Sequence, residues 1–280
     1  MSKRVLYLGP EGSYSELVID KFKKLLNDSY SLEQRGSIYA IMQELSFSKE
    51  ESLYAVVPIE NSIEGIVSET QDNLCSIVKN GYQILAEAEQ SINHSLISFY
   101  PKEEIEVIIS HSQALAQCRN YIYNNWGANV VLKPTLSTSS AIASLKSTNE
   151  KVAAIGNVSC ANYYSVPVVE ENVNDEKNNT TRFLLLSRSF PQNVEQNKIS
   201  ITFSTENKPG ALNKILSILE KSGINMTNIN SRPSRHELGE YVFYVDFEGH
   251  INDTTISTAL LEIEKQVKTY TILSCGAVCL

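Results

Sequence analysis

Nothing in this 280-residue sequence approaches the run of roughly 18 apolar residues that a membrane-spanning helix needs. The start, Met1-Ser2-Lys3-Arg4, is followed by only four apolar residues before Gly9-Pro10, too short a segment for a secretory signal. Glycine (12) and proline (8) are sparse, which excludes collagen-like and low-complexity chains. Cations are short as well: 24 Lys and Arg stand against 32 Asp and Glu, a net charge of -8. A protein built to grip duplex nucleic acid needs many Lys and Arg to displace counterions, so that class is excluded. An anionic ligand must instead be held by local groups working against the overall field. Cysteine is limited to Cys75, Cys118, Cys160, Cys275 and Cys279, an odd and scattered set. These read as free buried thiols in a reducing compartment, and the expected location is cytoplasmic. Cys275 and Cys279 have no His or second Cys pair beside them, so no metal site is expected. What is present is ordinary for a folded protein: 42% hydrophobic and 20% charged residues, enough apolar content for packed cores. The length suggests about two domains.

Short Val-, Ile- and Leu-rich runs recur at 5–8, 53–59, 105–109, 130–132, 152–155 and 183–186. Such continuous runs suit buried strands of a parallel sheet. Between them, helical patterns occupy 16–26, 38–45, 69–78, 113–123 and 141–145. The alternation predicts an α/β fold with helices on both faces of the sheets. The stretch 82–99 reads as extended chain crossing between two lobes. A polar segment, 191–197, then reads as a linker. Beyond it the pattern is strand 199–205, helix 211–221, strands 225–231 and 240–247, helix 254–267 and strand 269–279. That order is βαββαβ, the ferredoxin-like arrangement, with His236-Glu237-Leu238-Gly239 as the turn between the middle strands.

Polar clusters sit where the candidate strands end. Gly9-Pro10-Glu11-Gly12-Ser13-Tyr14-Ser15-Glu16 follows the first strand, and Ser13 with Glu16 has the spacing of a capping box. Glu60-Asn61-Ser62 follows the second, bringing a carboxylate, an amide and a hydroxyl together; taken alone it is also an ordinary loop composition. Ser68-Glu69-Thr70-Gln71 reads as a further capping box and nothing more. Ser110-His111-Ser112-Gln113, Ser137-Thr138-Ser139-Ser140 and Gly156-Asn157 each fit a helix N-cap. Their common place at the carboxyl ends of strands is where open α/β sheets bind ligands. Helix starts converging on one cleft would hold a small carboxylate without any basic patch. His94 and His111 fit structural roles as well as chemical ones. Arg182 enters the apolar run Phe183-Leu184-Leu185-Leu186, and a buried arginine needs a carboxylate, from the protein or from a ligand. The residues alone therefore describe a cleft for a small organic acid.

LGPEGSYSE (8–16), VPIENSIEG (57–65), SHSQALAQC (110–118), STSSA (137–141), AAIGN (153–157) and NTTRFLLL (179–186), in this order, resemble the prephenate dehydratase family. KPGALNKIL (208–216), INMTNINSRP (224–233) and EYVFYVDFEGH (240–250) resemble the ACT regulatory domain that follows in that family. No chorismate mutase segment precedes Val5, so the likeness is to the monofunctional form. The resemblance implies a two-lobed catalytic domain of the type II periplasmic-binding-protein kind over 1–190. Its lobes would be about 1–79 with 181–188, and 80–175, followed by the linker and an ACT domain over 198–280. The implied reaction converts prephenate to phenylpyruvate with loss of carbon dioxide and the ring hydroxyl, without metal or organic cofactor.

Carried over by motif, Thr181 would bond the departing hydroxyl, Arg182 would pair with a carboxylate, and Glu60 would be a protonated acid. Asn61, Ser62, Ser13, Gln113, Ser139 and Ser140 would line the cleft as neutral donors, with Phe183 against the ring. The ACT resemblance implies feedback by L-Phe at an interface between two chains. Gly210, Ala211, Leu212, Asn225, Ser231, Arg232 and Pro233 would form that pocket, in a homodimer or homotetramer. Asn230 stands where the family usually has Glu, and Asn213 where it has an apolar residue, which bears on effector affinity. Ser112 replaces a common Pro and Ser13 a common Thr. Arogenate dehydratase is the alternative enzyme, and an amino-acid-sensing protein without turnover is the alternative from another class.

Overall fold

The computed structural model describes residues 3–26, 29–189, 197–234, 237 and 239–280. Most of the 191–197 linker and part of the 236–239 turn lie outside these residues. The first lobe runs β1 (Lys3–Leu8), α1 (Tyr14–Leu17), a 3-10 turn Val18–Phe22, α2 (Lys23–Leu26), β2 (Tyr30–Arg35), α3 (Ile38–Phe47), β3 (Leu53–Asn61), β4 (Gly65–Ile66), α4 (Ser68–Lys79) and β5 (Gln83–Ser91). The second runs β6 (Ser95–Ile97), β7 (Val107–His111), α5 (Ser112–Gln117), α6 (Arg119–Trp126), β8 (Val131–Thr135), α7 (Thr138–Ser144), β9 (Val152–Gly156), α8 (Val158–Tyr163) and β10 (Val168–Glu170). β11 (Thr180–Ser187) returns to the first sheet. The C-terminal part is β12 (Lys198–Ser204), α9 (Ala211–Lys221), β13 (Met226–Pro233), β14 (Tyr241–Glu248), α10 (Thr254–Gln266) and β15 (Thr269–Cys279), the expected βαββαβ order.

The strands form two sheets. One is ordered β10-β6-β9-β7-β8 and belongs to the second lobe. The other is ordered β13-β14-β12-β15-β5-β11-β3-β1-β2, so the C-terminal sheet continues into that of the first lobe. The join is a short parallel pairing, Val278 with Ala86 and Cys279 with Glu87. Alternation along β11 divides its side chains between two cores. Phe183 and Leu185 pack with Val5, Tyr7, Val18 and Phe22 on one face. Leu184 and Leu186 pack on the other with Ile41, Leu45, Leu74 and two C-terminal residues, Tyr244 and Leu273.

Several sequence expectations need correction. The helix expected over 113–123 breaks at Cys118, because Asp175 accepts the backbone N–H groups of Asn120 and Tyr121 at 2.9 and 3.0 Å and starts α6 there. The helix expected over 16–26 is two short α segments around a 3-10 turn. Strand β2 was not expected: it is an edge strand, largely polar, and lacks the continuous apolar run of its neighbours. The extended chain over 82–99 is β5 in the first sheet and β6 in the second. The crossing therefore lies near Ile92, and β5 belongs with the first lobe. Ser68 is not a cap: Val67 holds that position, its own N–H bonded to Ile59 O at 2.9 Å, and Ser68 is already helical.

Candidate active site

A cavity of about 490 Å³ opens between the lobes. Residues at the start of three helices line it: Ser13 (α1), His111 and Gln113 (α5), and Ser137, Thr138 and Ser139 (α7). Each of these helices follows the carboxyl end of a strand, as the sequence pattern implied. The fourth such start, Asn157, instead ties the lobes together, donating to Gly12 O at 2.9 Å. Gly12 has φ +78°, and a side-chain carbon there would meet Cys160 Cα at 2.8 Å, so the close approach of the lobes requires glycine. Among the described residues, no Lys or Arg lines it. An anion in this cleft is met by hydroxyls, amides and backbone N–H groups.

One hydrogen-bonded chain organises the floor. Asn61 Oδ1 accepts the backbone N–H groups of Ile63 and Glu64, each at 3.0 Å, which fixes the orientation of its amide. Asn61 Nδ2 therefore donates to Thr181 Oγ1 at 2.9 Å and to Asn179 Oδ1 at 2.7 Å. Thr181 Oγ1 accepts there, so its own proton is not used in that bond. Asn179 Nδ2 donates onward to Gln117 Oε1 at 2.9 Å. That leaves Gln117 Oε1 to accept from His94 Nε2 at 3.1 Å and sets the histidine tautomer. His94 is buried, and burial holds it below the usual histidine range against the opposing bond to Gln117. Burial raises the Tyr14 phenol and pushes the Cys118 thiol up to about 12, so neither ionises near neutrality.

The structure gathers Thr181, Asn61, Ser13, Gln113, Ser139 and Phe183 around the cavity. It does not bring the other expected residues there. Arg182 lies on the opposite face of β11 from Thr181 and bonds Glu87, Asp246 and Glu60. Strand alternation is the reason, so the contact expected between Arg182 and a substrate carboxylate is corrected. Glu60 turns the same way: its Oε2 accepts from Arg182 Nη2 at 2.8 Å, and it is not placed to deliver a proton into the cleft. Ser62 ties β3 to the chain before β11, donating to Asn178 O and accepting from Thr180 N, each at 3.0 Å. Ser140 is spent in a capping box with Ser137 at the start of α7.

Gln117, Asn179 and His94 line the cavity and were not assigned roles from the sequence. Gln117 was within reach of pattern reasoning, since it lies four residues after Gln113 in one motif. His94 joins the others only through the lobe crossing.

In the C-terminal domain, Ala211 and Leu212 line a cavity of about 160 Å³ with Asn207, Tyr241 and Phe243. Gly210 precedes it with φ +80° as the N-cap of α9. Asn225, Ser231 and Pro233 are exposed and not among the lining residues. Arg232 pairs instead with Asp72 of α4, through two contacts of 3.1 Å.

Two α/β lobes with a cleft between them, joined to a βαββαβ domain, define a two-lobed small-molecule-binding fold with an added ferredoxin-like domain. A family model described as prephenate dehydratase matches residues 5–190, and an ACT domain model matches residues 199–265. The chain belongs to the prephenate dehydratase family. A prephenate dehydratase of Methanocaldococcus jannaschii is 41% identical over 255 residues, 89% of this chain and 90% of that protein. One from Lactococcus lactis subsp. cremoris is 34% identical, covering 93% of this chain and 92% of its own. The solved structure of prephenate dehydratase from Arthrobacter aurescens, in complex with L-Phe, superposes with a TM-score of 0.84 at 27% identity, covering 99% of this chain and 90% of that one.

Proposed function

We propose that this protein converts prephenate to phenylpyruvate, carbon dioxide and water, a carbon–oxygen lyase reaction of phenylalanine biosynthesis, under feedback by L-Phe. The observation that carries the reading is Thr181, its Oγ1 accepting from Asn61 Nδ2, in a cleft built from the family's own motifs. The cavity falls within the roughly 300–1,000 Å³ usual for small-molecule sites. Phe183, Leu8 and Pro58 offer apolar contact for the ring, while the hydroxyls and amides at the starts of α1, α5 and α7 meet the carboxylates.

As the ring carboxylate leaves as carbon dioxide, its bonding pair enters the ring and the C4–oxygen bond breaks. One proton is taken up, so prephenate dianion and a proton give phenylpyruvate anion, carbon dioxide and water. Thr181 bonds the departing oxygen as negative charge develops on it.

L-Phe regulation rests on the ACT domain and on the relative solved with L-Phe. The small cavity at Ala211 and Leu212 would be completed by a second chain, so we propose a homodimer or a dimer of dimers. One observation favours a second substrate. Glu64 stands at the cavity wall and would pair with the amine of arogenate.

Purified protein incubated with prephenate should form phenylpyruvate, followed by ultraviolet absorbance, and added L-Phe should slow it. Absence of product removes the enzyme reading and leaves the sensing protein. A higher kcat/KM on arogenate makes that the physiological substrate.

A further inference from the structure

The face of β11 that turns away from the cleft carries a buried ion cluster that joins the two domains. Arg182 Nη1 bonds Glu87 Oε2 of β5 at 2.9 Å and Asp246 Oδ2 of β14 at 3.2 Å, while Nη2 bonds Glu60 of β3 at 2.8 Å. Lys198, at the start of β12, bonds the same Glu87 and Asp246 oxygens at 2.7 and 3.1 Å. Arg182, Lys198, Glu87 and Asp246 all have side chains 15% exposed or less. Two of the four come from the ACT domain and two from the catalytic domain.

The register makes this cluster the back of the active site. Thr181 faces Asn61 across the β3–β11 pair, and one step along Arg182 faces Glu60. One face of this two-residue ladder presents the Thr181–Asn61 dyad to the cavity, and the other presents Arg182 and Glu60 to the ACT sheet. Asp246 thus contacts the side chain of the residue next to Thr181 on the same strand. Beside this ion contact, Ile59 and Leu184 of the same strands share an apolar cluster with Tyr244 of β14. A further inter-domain ion pair, Arg232 with Asp72, involves α4, and Tyr244 bonds Gln71 O of the same helix at 3.1 Å.

We infer that Asp246 of the ACT domain is a positioning residue for the dehydratase site, acting through Arg182 on the Thr181–Asn61 dyad, and that effector-driven motion of the ACT sheet reaches the cleft along this path. The inference rests on the function proposed above. It requires the β3–β11 ladder to have two arrangements that the regulatory domain selects between.

The test is Asp246→Asn in the full chain. Removing one carboxylate leaves Arg182 and Lys198 facing Glu60 and Glu87, a balanced set, so the variant is expected to fold. Amide hydrogen exchange over 57–62 and 179–184 should speed up by about tenfold or more, because the ladder loses its anchor, while the second lobe is unchanged. With prephenate, kcat should fall about tenfold at a KM within about threefold, as fits loss of alignment and not of binding. L-Phe should still bind by calorimetry, with inhibition at saturation reduced. Asp246→Glu, which keeps the charge and shifts the carboxylate by one methylene, should change kcat in the same direction, and it serves the test if the Asn variant does not fold. Unchanged exchange over those segments overturns the inference, as does an unchanged kcat with undiminished L-Phe inhibition. Faster exchange in a protein whose parent does not turn over prephenate supports the positioning path and refutes the proposed reaction, so the two failures are told apart.

Discussion

Thr181 and Arg182 are neighbours in sequence and separate in role, because successive side chains of a strand point to opposite faces. The threonine is 8% exposed at the cleft wall, and its oxygen is already an acceptor for Asn61. In the reaction proposed above, that bond would leave the hydroxyl hydrogen for the departing oxygen. Thr181→Ala should therefore lower kcat by about 100-fold or more, the scale of losing a positioned donor, with KM changed only a few-fold. Thr181→Ser keeps the hydroxyl and should recover most of the activity. Steady-state kinetics on both variants check this, and near-parental kcat in the alanine variant would remove Thr181 from the reaction. Arg182 belongs to a different account. Burial alone would lower its pKa, and the nearby Glu87 and Asp246 carboxylates more than reverse this, so the pKa is raised and the cation is secure without any ligand.

At the level of elements, most of what looked like binding chemistry is divided between binding and capping. The start of α7 shows the division within four residues. Ser137 and Ser140 exchange bonds of 3.0 Å between side chain and backbone, while Ser139 is buried against the cavity. Ser140→Ala removes only the N3 half of the box and should cost no more than about 1 kcal/mol of stability, the worth of a full N-cap, and leave kcat within about twofold. Urea unfolding and kinetics on one preparation would show it; a large loss in kcat would return Ser140 to the substrate. The elements themselves were largely legible, because the strands of the parallel core are continuous Val-, Ile- and Leu-rich runs and the helices of the ACT domain carry plain apolar stripes. Polar β2 was not legible, since an edge strand needs no apolar run, and neither was the break at Cys118, which Asp175 imposes from 57 residues away. The motifs also pointed to Thr181, Asn61 and Phe183, which line the inter-lobe cavity. The direction in which Arg182 and Glu60 point was not, because it depends on which face of β11 the ACT sheet covers.

Across the whole molecule, three unrelated contacts place the same demand on pH. Hydrogen bonds from Arg4 and Arg35 lower the Glu33 carboxyl to about 2 at the edge of the first sheet. Asp246 is held below the usual aspartate range: burial opposes this, and Lys198 and Arg182 prevail. His94 is held below the usual histidine value of 6.5 by burial between the lobes. In each case the folded pKa is the lower one, so the unfolded chain binds more protons as pH falls and stability falls with it. The stabilisation is complete above each unfolded value and is lost as pH drops toward the folded one. The windows follow in order: His94 acts below pH 6.5, and Glu33 and Asp246 act only below the ordinary carboxylate values of 4.5 and 3.8. The Glu33 side chain is 30% exposed, and solvent screening keeps its share small. Urea unfolding should therefore show stability declining from pH 7 to pH 5, by at most about 1.4 kcal/mol per pH unit for a single proton, and declining again below pH 4.5. His94→Gln should flatten the first decline and leave the second in place. A first decline that persists in this variant would mean that another group titrates there, and that the buried imidazole is not what ties the stability of the inter-lobe floor to pH.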